Sequence, residues 1–361
     1  MVKSVYIHIP FCKSKCHYCS FVSFPALELK KDYIKALEKE INYNYENELL
    51  STLYFGGGTP SLLTSDEFEK IINHFNINNK TEITTELNPE SVNYEYIRKL
   101  YEIGINRISL GCQTFDDKIL KLINRRHNSS QVIQAVKAAQ DIGFKNISLD
   151  FIYGLPDQTI EMFIYDLKKA VELGIQHISL YGLSIESGCY FSSHIPKNLP
   201  DDDKQADMYL EAVEFLTSKG FEHYEISNFS QANYNSKHNL NYWNNEEYYG
   251  FGVSAHGYKN GIRYGNKETI KDYIDNPIEH NVTKCETLQD KLEEEIFLGF
   301  RKIIEGVNVD KINSKYSIDF ENKYKNILLK YSQFLRKTPQ GYAFTPKGAL
   351  ISNTILAEFL A

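Results

Sequence analysis

An α/β fold built on a parallel sheet is what this chain of 361 residues predicts, on three observations. Six short strand-like runs occur at 3–9, 51–55, 81–87, 106–111, 146–152 and 177–183. A pattern of helical period follows each of the first five, and the sixth leads through a long loop to a helix near 203–219. One unit is used repeatedly: LYEIGINRISLGCQ (100–113), AQDIGFKNISLDF (139–151) and VELGIQHISLYG (171–182), with a looser copy in SKGFEHYEIS (218–227). Alternating β and α elements favour parallel strands with right-handed crossovers. Six units suffice for an open three-quarter barrel or for a doubly wound sheet, and the pattern alone admits both.

Each element has a local reason. Thr64 and Glu67 have capping-box spacing, and Phe68, Ile71, Ile72 and Phe75 then share one helical face. Ile97, Leu100 and Tyr101 form a second stripe, and Phe163, Leu167, Ala170 and Val171 a third. Gly104, Gly143 and Gly174 each follow a helix where the left-handed C′ position is needed. Past residue 200 the pattern changes. Asp201, Asp202 and Asp203 look like a solvated helix start, and 228–260 is rich in Asn, Tyr and Gly with little periodicity. LEEEIFLGFRKII is helical again, GYAFT (341–345) is strand-like, and a helix of about twelve residues is expected after Pro346. The reading is a βα barrel over 1–200, a connecting segment over 201–283 and a small helical, winged domain over 284–361.

Composition narrows the function. There are 47 Asp+Glu against 40 Lys+Arg, a net charge of −7, so the basic footprint of a nucleic-acid binder is absent. With 42% hydrophobic residues the chain can bury a sizeable core. No apolar run reaches the roughly 18 residues of a spanning helix, so membrane contact is expected only through partners. MVKSVYIHIPFCKSK lacks an apolar signal region, which points to the cytoplasm. Six cysteines are too few for a secreted disulfide scaffold.

Three of those cysteines carry the strongest signal. Cys12, Cys16 and Cys19, in CKSKCHYC, follow the first strand as C-x-x-x-C-x-x-C. Three thiolates on one loop can take three corners of a [4Fe–4S] cube and leave one iron open to a ligand. A zinc knuckle using His17 is the alternative, but His17 adjoins Cys16, a poor geometry for sharing one metal. Cys112, Cys189 and Cys285 stand alone. In a βα barrel the site lies at the C-terminal ends of the strands. Those ends read Gly56-Gly57-Gly58-Thr59-Pro60, Glu86, Gln113, Asp150 and Tyr181-Gly182-Leu183-Ser184. Glycines there let backbone approach a ligand, and the Glu86 carboxylate could take ribose hydroxyls or an ammonium.

The cysteine spacing resembles that of the radical S-adenosylmethionine (radical SAM) superfamily. YIHIPFC, GGGTPSLL, ELNP, SLGCQTFDDKILKLINRRH and DFIYGLPDQT together resemble its oxygen-independent coproporphyrinogen III oxidase group over most of 3–260. The resemblance implies a partial (β/α)6 barrel and a [4Fe–4S] cluster on Cys12, Cys16 and Cys19 that passes one electron to bound SAM. It implies that Tyr6, Gly57 and Glu86 touch that SAM. Tyr18, Gly58, Thr59, Gln113, Arg125, Asp150 and Ser184 match positions lining the rest of the SAM region. Arg125, with a planar guanidinium, suits a carboxylate.

Two branches of the group differ. The oxidase branch carries a further cysteine two places after the third and a long N-terminal extension; here Phe21 holds that place and the first strand begins near residue 3. Both departures favour the HemW-type heme chaperone branch over anaerobic decarboxylation of coproporphyrinogen III, the alternative activity. HNLNYW (238–243) resembles a signature of that branch. It makes His238 a candidate heme ligand and offers Tyr242 and Trp243 for a porphyrin face, against a local hydrogen-bonded turn with Trp243 in the core. His256 is a rival ligand. The resemblance implies heme as cargo, apo-hemoproteins such as respiratory cytochromes as recipients and an electron donor, and it leaves a homodimer open.

Overall fold

The structure is a computed structural model that describes residues 2–282 and 287–360. Cys285 and the expected boundary at 283/284 lie outside the described residues. The chain runs β1 (Ser4–Ile9), α1 (Lys30–Asn44), β2 (Thr52–Gly57), α2 (Ser65–Ile72), β3 (Glu82–Leu87), α3 (Tyr94–Glu102), β4 (Arg107–Gln113), α4 (Asp117–Leu122), α5 (Ser129–Ile142), β5 (Ile147–Tyr153), α6 (Ile160–Glu172), β6 (His177–Gly182) and α7 (Tyr190–Ser193). After it come α8 (Asp202–Ser218), β7 (Glu222–Glu225), β8 (Asn228–Ser230), α9 (Lys237–Trp243) and β9 (Tyr249–Phe251). β1 to β6 pair in parallel, in chain order, within a nine-stranded sheet ordered β7-β8-β6-β5-β4-β3-β2-β1-β9. Among the described residues no pairing joins β7 to β9, so the barrel is partial and open.

The expected helix signals act as read. Thr64 accepts from the Glu67 amide while the Glu67 carboxylate accepts from the Thr64 amide, a cap that stabilises by about 1 kcal/mol. Gly104, Gly143 and Gly174 take φ of 97°, 118° and 69°. Tyr101 departs from its stripe, at 44% exposed, because Ile97 and Leu100 already fill the helix's buried face. The fourth repeat copy yields β7, but antiparallel to β8 at the sheet's edge, because only two residues separate these strands and a hairpin replaces the crossover. The segment 228–260 is more ordered than its composition suggests, contributing β8, α9 and β9.

Alternation along the strands decides what the barrel is for. Ile7, Leu53, Ile83, Ile108, Leu149 and Ile178 face the helices and are at most 3% exposed. Residues one position away face the lumen and hydrogen-bond across neighbouring strands: Tyr54 to Glu86, Ser109 to Asp150 and Ser148 to His177. Parallel strands buried on both faces normally read as continuous apolar runs. Here the inner face is polar, as a ligand-holding lumen requires.

Among the described residues there are also two antiparallel three-stranded sheets. β10 (His256–Lys259), β11 (Ile262–Gly265) and β12 (Asn281–Val282) form one. β13 (Val307–Asn308), β14 (Leu335–Thr338) and β15 (Gly341–Phe344), in the order β13-β15-β14, make a wing among the helices at Leu288–Phe300 and Val309–Tyr316. The helix expected after Pro346 is broken into Pro346–Leu350 and Ser352–Ala357. Residues 301–303 bond to the free edge of β7, so that edge is covered.

Candidate functional site

β1 delivers the chain into the cysteine loop through Phe11, which is fully buried. Cys12 N donates to Phe24 O and Phe24 N to Pro10 O, closing the loop at its base. Cys19 N donates to Cys16 O, forming a tight turn between two of the thiols. Cys12, Cys16 and Cys19 are free and half-buried. They border a cavity of about 400 Å3 at the C-terminal ends of the strands, within the range of sites for small organic ligands.

Twelve of the fourteen residues expected from the sequence border this cavity: the three cysteines with Tyr18, Gly57, Gly58, Thr59, Glu86, Gln113, Arg125, Asp150 and Ser184. The glycines are required sterically. A Cβ on Gly57, at φ 116°, would sit 2.7 Å from the His8 ring. One on Gly58 would sit 2.8 Å from Phe11 O and 3.1 Å from Cys12 Sγ. The bare Gly57 N–H instead donates to Glu86 Oε2 at 3.2 Å, and Tyr54 donates to Oε1 at 2.9 Å. Loss of water pushes the Glu86 carboxyl up to about 7. Asp150 accepts from Ser109 at 2.9 Å and from Ser148 at 3.3 Å, and burial raises it as well. A bulge in β4 between Gly111 and Gln113 gives Gln113 a φ of 66° and turns its side chain to the cavity.

Arg125 organises the thiols. Its Nη1 lies 3.6 Å from Cys16 Sγ, while Nη2 donates to Asn88 Oδ1 at 2.9 Å and to Gly111 O at 2.8 Å. Asn88 Nδ2 donates to Thr59 Oγ1 at 3.1 Å, and that hydroxyl is hydrogen-bonded to Cys12 Sγ at 3.3 Å. One guanidinium thus supports two sulfurs, one directly and one through two side chains, and its fork is largely occupied before any carboxylate arrives. The donor set fits a [4Fe–4S] cluster: three thiols from one loop, a guanidinium 3.6 Å from one of their sulfurs, and polar room beyond them for a ligand on an open iron. Among the described residues no three His, Cys, Asp or Glu side chains gather tightly enough for a single metal ion.

Two expected residues stand elsewhere. Tyr6 lies below the cavity, its ring against Gly56 and its hydroxyl donating to His8 Nδ1 at 3.0 Å. That direction follows because His8 Nε2 must donate to Val22 O. His238 sits at the opposite end of the barrel, 1% exposed. Its Nδ1 meets Thr52 Oγ1 at 2.7 Å, its Nε2 meets Tyr242 OH at 2.8 Å, and its ring stacks on Tyr54 at 4.9 Å. Glu82 accepts from the amides of Lys237 and His238, where the first turn of α9 has N–H groups without partners. Trp243 is half-buried beneath Arg301 at 4.4 Å. HNLNYW is therefore a helix whose histidine is enclosed in polar core, while His256 is exposed on β10.

Asn88, Ser109 and Tyr54 escaped the sequence reading. Tyr54 and Ser109 are two positions before Gly56 and Gly111, so in-phase alternation along β2 and β4 was the available signal. A second cavity, of about 220 Å3, lies beside Tyr264 and His280 and is lined by no thiol among the described residues.

The comparisons agree with this geometry. The radical SAM superfamily pattern matches residues 6–170. A protein of Lactococcus lactis named heme chaperone HemW is 39% identical, covering 99% of this chain and 97% of its own length. The Bacillus subtilis protein of that name is 36% identical, covering 99% of each. The solved structure of coproporphyrinogen III oxidase (HemN) from Escherichia coli, described as a radical SAM enzyme, superposes with a TM-score of 0.86 at 23% identity, over 99% of this chain and 90% of that one. That likeness establishes the fold. By full-length similarity the chain belongs to the HemW family of the radical SAM superfamily.

Proposed function

We propose that the chain is a heme chaperone on a radical SAM scaffold, binding heme and delivering it to apo-hemoproteins such as respiratory cytochromes. The observation that carries the reading is 39% identity, over essentially the whole length, to a protein named for that activity. Phe21 adds support, since it occupies the position where the oxidase branch has its extra cysteine and stands 70% exposed at the cavity mouth. Cys12, Cys16 and Cys19 would hold the cluster, and Gly57, Glu86, Gln113 and Asp150 the SAM. When bound, the cluster supplies one electron and an open iron to the sulfonium nucleotide. Around it the residues orient and exclude: Gly57 and Gly58 permit close backbone approach, Glu86 and Asp150 present carboxyls to hydroxyl or ammonium groups, and Tyr18 shields the thiols. A cytoplasmic setting with an external electron donor suits this role, and among the described residues no helix is long and apolar enough to cross a membrane.

The test is anaerobic reconstitution followed by two assays. The proposal expects a stoichiometric heme absorbance band and heme transfer to an apo-cytochrome. Conversion of coproporphyrinogen III to protoporphyrinogen, without heme transfer, would overturn it in favour of the decarboxylase.

A further inference from the structure

Ten histidines offer imidazoles, and hydrogen bonding removes most of them as ligands for a porphyrin iron. His8, His127, His177 and His238 are buried with both ring nitrogens engaged. His223 is buried beneath Phe229, His74 is held by Asn42 and Glu38, and His280 meets Glu40. His17, His194 and His256 remain. Resting on the chaperone reading, we propose that His17, on the outer side of the cysteine loop, is the axial ligand of the heme this chain carries.

His17 Nδ1 lies 3.0 Å from Leu122 O. A carbonyl only accepts, so Nδ1 carries the hydrogen and Nε2 keeps its lone pair. Metal-binding histidines commonly have this arrangement, in which the second nitrogen's hydrogen bond fixes tautomer and ring orientation. Nε2 has no partner among the described residues. The ring is steadied further by Tyr190, stacked on it at 4.2 Å. His17 N donates to Ile123 O and Phe191 N to His17 O, so the backbone is held on both sides. His194 stacks on the far face of Tyr190 at 4.1 Å, and with that ring between them the two imidazoles cannot share one iron. His256 has neither an orienting hydrogen bond nor an aromatic neighbour in contact among the described residues.

Charge complements the cargo. Lys13 and Lys15 precede His17 on the cysteine loop, Lys15 also bordering the large cavity, and Lys121 and Arg126 lie on either side of Leu122 in the chain. Asn124 Nδ2 donates to Lys15 O at 2.9 Å, stitching the two segments together. All four cations are exposed, and none makes an ion pair among the described residues. Heme brings two propionates to be met. Leu122, 37% exposed, and Tyr190, 48% exposed, supply apolar surface beside the ligand.

Full-length protein, anaerobically reconstituted, is titrated with ferric heme and followed by absorbance, with iron content measured on the same samples. His17→Ala should weaken binding at least about tenfold, since loss of even an outer-shell partner of a metal ligand costs about 10–100-fold, and millimolar imidazole should restore the band. His194→Ala and His238→Ala should bind like the parent. A His17→Ala variant that has also lost its cluster is compared with cluster-free parent, so cluster loss does not confound the result. An unchanged band in His17→Ala, or a loss that imidazole fails to restore, overturns the assignment. Failure of the parent to bind heme would instead remove the chaperone reading itself.

Discussion

His238→Ala separates a structural histidine from a ligand. The substitution removes two buried hydrogen bonds, to Thr52 and Tyr242, each contributing about 1 kcal/mol. It also empties the space beneath Tyr54, and truncating a fully buried side chain there costs about 2 kcal/mol more. The expected loss at neutral pH is therefore about 4 kcal/mol, with heme affinity unchanged. The imidazole is held down to about 3, because burial strips water from its charged form and Arg107 opposes it. A depressed value in the folded state contributes stability that is complete above 6.5 and withdrawn as pH falls towards 3. In that window the parent should lose about 1.4 kcal/mol per pH unit from this group, and the variant should lack that slope. Urea unfolding of both proteins between pH 7 and pH 5 measures both quantities, provided the m-value is unchanged. A stability loss under 1 kcal/mol, combined with loss of the heme band, would refute the reasoning and restore His238 as a ligand.

Other substitutions probe the cavity. Glu86→Gln should flatten a stability decline of opposite sign: a carboxyl raised to about 7 stabilises fully below 4.5 and loses that contribution as pH rises through 7. Equal pH profiles for parent and variant would exclude it. Gly57→Ala places a methyl 2.7 Å from the His8 ring at a φ of 116° and should abolish SAM binding in calorimetry, with a stability loss of about 2 kcal/mol; a variant that binds SAM normally would contradict the cradle. Arg125→Lys keeps the charge but not the fork, so iron retention after gel filtration should fall markedly. Retention equal to the parent would mean that the Asn88–Thr59 relay does not support Cys12.

How much was legible depends on the range over which each signal acts. The six parallel strands and the capped helices were readable because alternation, capping and glycine termini act over a few residues. The cysteine loop and strand-end residues were readable because βα order brings strand C-termini together regardless of side-chain detail. Tyr6 does not border the cavity, since strand position alone does not tell which lumen residues open onto it and which bond sideways, as Tyr6 does to His8. The enclosure of His238 depends on Thr52, Glu82 and Tyr54, more than 150 residues away, a distance over which periodicity carries no information. The same holds for the His17–Tyr190 stack, which joins the first loop to the segment after β6.

The cluster is the claim on which the remainder rests, and metal analysis of anaerobically purified protein tests it most directly. About four irons and four sulfides per chain are expected, with the brown colour lost when Cys12, Cys16 and Cys19 are replaced by alanine. A colourless parent holding one zinc and no sulfide would contradict the account.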